Sequence, residues 1–190
     1  MFNSSLSRRS LLLSTLAFLV APLLALWGCS QFGDAIKCTT EVTLTVPQLR
    51  TYFPNHIVIV GDTTYAEVNP LFAPKWHDYT GRVMSLLGMS PNWSQQFDCN
   101  RFANVKLAVI HVRFLVDTWH ARKPGASPAV AEFWYTPHAT PGGIAYNRGK
   151  PGHAILVTIE GGKRVFRDIY SAKTLNLTQH EVDSAYLVKF

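Results

Sequence analysis

Residues 99–119 constrain the fold more than any other stretch of this chain. Phe102, Val105, Val109, Val112 and Val116 recur at intervals of three and four, and Leu107, Ile110, Phe114 and Leu115 thicken the same side. That spacing predicts a largely buried helix from about Cys99 to Trp119, stopped before Pro124. Asp98 stands just ahead of it, where a carboxylate accepts from the first free backbone amides and caps the helix. A helix this apolar needs another layer to cover it.

The covering layer is legible as strands. Thr43 to Val46 reads as the start of an extended stretch, and His56 to Val60 as a strand running into a turn at Gly61-Asp62. Ala129–Tyr135, His153–Ile159, Arg164–Ile169 and Ala185–Phe190 are short apolar runs separated by turn residues. Glu160-Gly161-Gly162-Lys163 has the composition of a hairpin turn. Pro70 and Pro74 predict a loop, and Tyr79, Val83, Leu86 and Leu87 a second helix over 77–87 closed by Gly88. One central helix on an antiparallel sheet gives an α+β domain. Residues 136–152, rich in proline and glycine, form the one long loop.

The chain begins differently. Arg8 and Arg9 precede an apolar run from Leu11 to Trp27 broken by Ser14, Thr15 and Pro22, the n-region and h-region of a signal peptide, too short for a comfortable membrane span. The run ends in Leu26-Trp27-Gly28-Cys29, which resembles a bacterial lipobox with Cys29 as the lipidated (palmitate-bearing) residue; an uncleaved N-terminal anchor is the alternative. Ser7 to Leu12 also resembles a twin-arginine export motif. The expected division is therefore a signal peptide over 1–28, a lipid-anchored tether over 29–40 and one domain over 41–190, located in the cell envelope.

Charge excludes one class of partner. The net charge of +6 contains Arg8 and Arg9, so the part after residue 28 carries about +4, with no run of lysines or arginines, and a nucleic-acid footprint is not expected. With Cys29 acylated, Cys38 and Cys99 remain, and in an oxidising compartment they are candidates for a disulfide.

Cys99 has a second reading. A thiol in the first turn of a helix faces unpaired backbone N–H groups and the positive end of the helix dipole, which favour thiolate. An acyl-transfer nucleophile also needs an imidazole, held in one tautomer by a third group. His153 opens one strand of the predicted hairpin and Asp168 lies near the end of the next; a turn centred on Gly161-Gly162 sets residue 153 opposite a position near 170. The backbone N–H of Cys99, and Gln95 or Gln96, are candidate donors to an oxyanion.

Asp98-Cys99-Asn100-Arg101-Phe102-Ala103, Gly152-His153-Ala154 and Asp168 together resemble the transglutaminase-like cysteine peptidases of bacteria and phages, within the papain-like superfamily. The similarity includes Ala131–Tyr135, Leu177-Thr178 and the final Tyr186–Phe190, and covers roughly residues 93–190. Asn100 and Arg101 stand where that family usually carries acidic residues. The resemblance implies a papain-like core, Cys99 as nucleophile, His153 as general base and acid, and Asp168 as the orienting carboxylate of a thiol hydrolase, peptidase or amidase acting on a protein or peptidoglycan-like substrate. The alternative is a binding module on the same shell, without catalysis, for instance a phage-encoded one. Glu132, Trp134 and Tyr135 either line a cleft or pack the core. His111 and His120 lie nine apart, His77 and His138 read as surface, and no metal or cofactor is expected.

Overall fold

Strand β6 (His153–Glu160) is buried at all eight positions, the pattern of a strand covered on both faces. Its hairpin partner is β7 (Lys163–Arg167), with Glu160 opposite Lys163 and Leu156 opposite Arg167. Gly161 and Gly162 form the two-residue turn at φ values of 55° and 72°, a left-handed pair that L side chains resist. The Gly162 N–H donates to Glu67 Oε1 at 3.1 Å. The turn falls on Gly161-Gly162 as the sequence predicts, and the ladder runs from Glu160–Lys163 to Leu156–Arg167, stopping short of residue 153.

This structure, a computed structural model, describes residues 37–86, 88, 99–119, 126–138, 152–169 and 173–190. The chain divides into two units, Met1–Ala35 and Ile36–Phe190. The first lies outside the described residues, and with it the expected signal segment and Cys29. Among the described residues no helix is long and apolar enough to cross a membrane.

The remaining elements follow in chain order: β1 (Thr39–Thr45), α1 (Val46–Thr51), β2 (Val58–Ile59), β3 (Thr64–Val68), α2 (Ala73–Leu86), α3 (Cys99–Trp119), β4 (Ser127–Pro128) and β5 (Val130–Tyr135) before β6, then β8 (Thr174–Leu175), α4 (Gln179–Asp183) and β9 (Leu187–Lys189) after β7. A six-stranded sheet has the order β2-β9-β5-β6-β7-β8, and a three-stranded sheet the order β1-β3-β4. β1 starts at Thr39, inside the stretch read as tether.

The α+β class holds, with two differences from the expected single antiparallel sheet. A second sheet exists, and both sheets contain a parallel pair, β2 with β9 and β3 with β4. These pairings join segments far apart in the chain, so no local periodicity announces them.

Alternation along β5 and β6 sorts the core into two layers. Val130, Ala154 and Leu156 join Phe102, Ala103, Ile110 and Phe114 of α3. Ala131, Phe133, Tyr135, Ile155, Val157 and Ile159 face the other way, onto Leu49, Phe53, Phe166, Val182 and Val188. The bounds of α3 match the sequence reading, but its burial does not. Lys106 (6%) and Arg113 (8%) are buried, whereas Val112 (40%) and Leu115 (58%) are exposed. The face that meets the sheet runs through Cys99, Phe102, Lys106, Ile110 and Arg113, whose long side chains lay their methylenes against the core. The Arg113 guanidinium lies over the Phe72 ring, 5.6 Å from its centroid.

Candidate functional site

α3 begins at Cys99, and the loop entering β6 ends at Gly152, so helix start and strand start converge at one end of the sheet. There the Cys99 thiol donates to the Gly152 carbonyl oxygen, with Sγ to O 3.7 Å. Cys99 is 8% exposed and His153, the next residue after Gly152, is 3% exposed. His153 stands opposite Tyr135 in the ladder, their ring centroids 5.7 Å apart. Asp168 follows the last residue of β7, its backbone N–H donating to the Lys173 carbonyl at 2.9 Å.

Charge links His153 to Asp168. Burial lowers the His153 pKa below its ordinary value, and the Asp168 carboxylate opposes that shift. The same carboxylate acts on Lys106, which burial pushes down to about 8. The sequence reading passed over Lys106, since a lysine in an apolar helical run ordinarily marks the solvated side.

Tyr186 completes this end of the sheet and was not read as a site residue. Its hydroxyl lies 3.7 Å from where a Cβ on Gly152 would stand, and Gly152 sits at a φ of 97°. The phenol pKa is raised, first by burial and then by the charge of Cys99. The ring meets Trp134 edge-on, with centroids 6.1 Å apart and planes at 70°. The Trp134 indole N–H donates to Glu132 Oε2 at 3.0 Å. Glu132 and Tyr135 are buried core residues, and Trp134 is half-buried. The signal for Tyr186 was its place just ahead of β9, which acquires meaning only once β9 pairs with β5.

Asp98, Gln95 and Gln96 lie outside the described residues, as does His120. Cys38 and Cys99 are buried in one cluster without a disulfide between them, which corrects the disulfide alternative. His138 is exposed, its ring 4.7 Å from that of His180. Among the described residues no group of three or more His, Cys, Asp or Glu is placed to hold a metal ion.

No family model matches the chain, and no curated protein matches it. Solved structures do. The PSL1a–E64 complex is 15% identical with a TM-score of 0.54, the match covering 78% of this chain and 51% of that one. Polyporus squamosus lectin bound to the human-type influenza-binding epitope Neu5Aca2-6Galb1-4GlcNAc is 16% identical with a TM-score of 0.53, over 78% and 49% of the two chains. This chain thus spans about half the length of those proteins, and at that identity what is shared is the fold.

The peptidase resemblance is corrected by these findings. The structures it resembles include a lectin bound to a glycan epitope, and no family model or curated relative supports a transglutaminase-like or papain-like peptidase. The expectations of a hydrolase and a thiol protease are withdrawn with it, since a lectin is what the chain resembles in structure, and no finding supports the lipoprotein with signal peptide and palmitate. The physical reason is that the resemblance rested on short segments around a helix-start cysteine, a strand-start histidine and a hairpin aspartate. Unrelated functions on many folds supply those positions.

Proposed function

We propose that the chain is a binding module whose ligand contacts the end of the sheet formed by Cys99, His153, Asp168 and Tyr186. The observation that carries this reading is the Cys99–Gly152 hydrogen bond. A carbonyl oxygen accepts from a protonated thiol and repels a thiolate. Burial meanwhile favours the neutral imidazole of His153, the form that does not hold a thiolate by charge. Both effects favour a neutral, hydrogen-bonding surface over an activated nucleophile.

The ligand class we assign is a glycan or peptidoglycan-like polymer, in line with a sheet fold resembling that of a lectin and with a site made of hydroxyl, thiol, imidazole and carboxylate. A polymer of that kind fits a place in the cell envelope. The test is a titration of the full chain with soluble glycans and peptidoglycan fragments, followed by calorimetry. Saturable binding that survives Cys99→Ser and is weakened by Tyr186→Ala is the expected outcome. No binding to either ligand set, or binding indifferent to Tyr186, His153 and Asp168 variants, would sink the reading.

A second reading rests on Asp168, whose charge opposes the fall in His153 basicity and so acts in the direction of an imidazolium. On that reading Cys99, His153 and Asp168 act as nucleophile, base and orienting carboxylate. Incubation with E64 and with iodoacetamide separates the two: rapid covalent labelling of Cys99 that disappears in His153→Ala favours nucleophilic use. Labelling no faster than that of a small-molecule thiol leaves the binding module.

A further inference from the structure

Tyr186 is held from three directions. Its backbone N–H donates to the Trp134 carbonyl at 3.1 Å. The following residue, Leu187, pairs with Trp134 across the β5–β9 ladder. The ring is braced edge-on by the Trp134 indole, itself tied to the Glu132 carboxylate, and Glu132 is 2% exposed. The chain Glu132, Trp134, Tyr186 therefore runs from the buried side of the sheet to its rim, and each member is fixed by the one beneath it.

Despite this support Tyr186 remains 42% exposed. A large aromatic residue anchored at its backbone and braced on one side, yet open on the other, is positioned to meet something from solvent. Its hydroxyl is directed at Gly152, which has no side chain to screen it. The carbonyl oxygen of the same Gly152 accepts from the Cys99 thiol, 3.7 Å away. A ligand group seated over Gly152 would thus have both the thiol and the phenol as neighbours.

We infer that Tyr186 is a ligand-contacting residue of this site, its phenol donating a hydrogen bond to the carbonyl oxygen of an acyl or amide group seated over Gly152 beside Cys99. The inference rests on the reading that this end of the sheet is the binding site, and it adds the chemistry recognised there. The N-acetyl and peptide carbonyls of a peptidoglycan-like or N-acetylated glycan ligand have that chemistry. A phenol whose proton is held more firmly than usual stays a donor throughout the neutral range.

Cys99 serves as the reporter. Acrylamide reacts with a thiol that has given its proton to solvent, the sulfur forming an S–C bond at the β-carbon while the C=C electrons move onto the carbonyl oxygen. A donor at that oxygen stabilises the enolate before its α-carbon takes a proton from water. Allyl bromide also forms an S–C bond, but expels bromide and has no carbonyl. Both rates at Cys99 are read by mass spectrometry on the full chain, with Cys99→Ala as background. Tyr186→Phe is expected to slow acrylamide by about tenfold, as loss of one hydrogen bond to a developing charge would, and to leave allyl bromide within about twofold. It keeps the ring and its contact with Trp134, and circular dichroism confirms the fold.

Equal slowing with both reagents would mean that the substitution merely disturbs the site, and no slowing with either would mean that the hydroxyl is idle. Either result overturns the assignment while leaving the site itself standing. An effect seen in Tyr186→Ala but absent in Tyr186→Phe assigns the role to the ring and overturns the donor. Wild-type Cys99 that reacts with neither reagent above background shows that no carbonyl group reaches the seat over Gly152 and overturns the inference, while the binding-module reading is decided separately by the glycan titration.

Discussion

The two faces of β5 and β6 are built from the same alternating strands, yet they are finished differently. One face is closed by rings: Phe133 lies 4.9 Å from Phe166 and 5.9 Å from Tyr135, centroid to centroid, with Phe53, Leu49 and Val188 filling the layer. The other is closed by α3, and among its buried groups are a thiol, an ammonium, a guanidinium and the carboxylate of Glu132. Apolar burial contributes stability in proportion to area, whereas each buried ionisable group detracts from it unless well partnered. The ring-filled face therefore holds the fold together, and the α3 face spends stability on groups that give the site its character.

Truncation on the ring-filled face breaks this contrast most sharply. Phe133 is 0% exposed, and Phe133→Ala is expected to cost about 3–5 kcal/mol, measured as a lower urea midpoint with unchanged slope. If the loss is under about 1 kcal/mol, the two faces do not differ as described.

Lys106 tests the other face and has the opposite sign. A lysine whose pKa falls to about 8 in the fold favours folding only in its neutral form. Its contribution is greatest above the unfolded value near 10.5, declines as the pH drops from there to about 8, and stays at its minimum below. Replacing it by methionine at pH 7 is expected to stabilise by about 1–3 kcal/mol, read by the same titration. A destabilised Lys106→Met would show that the ammonium's pairing with Asp168 outweighs its burial.

The smallest effect expected is at His153. Its folded pKa is lowered, so stability is complete above the unfolded value of about 6.5 and is lost as the pH falls through that value toward the folded one. His153→Gln should flatten this part of the stability profile while leaving the region above pH 7 nearly unchanged. A steeper acid loss in the variant would reverse the assignment.

What could be read in advance follows the reach of each signal. The α3 bounds came from repeated three- and four-residue spacing, and the β6–β7 register from a Gly-Gly turn whose two residues fix the pairing on both sides. α1 and α4 went unread although each begins with a capping box, Thr45 with Gln48 and Thr178 with Glu181; helices of six and five residues are too short for periodicity to show. The parallel pairings were illegible because nothing near Val58 refers to Val188. At the site, the positions of Cys99 and His153 at the starts of their elements were local facts and could be read. Tyr186 reaches them only through the β5–β9 ladder, and the burial of Lys106 depends on which side of α3 meets the sheet, so both emerged from tertiary structure alone.

The place of β9 in the sheet has a consequence for how the chain is made. β9 carries β2 on one side and β5 on the other, so β2, synthesised early, has no partner in this sheet until residues 187–189 emerge. Ile57 and Ile59, 66% and 49% exposed even in the finished sheet, wait beside an unpaired strand edge until β9 is made. During synthesis that segment is open to adventitious strand pairing and in need of a holding partner.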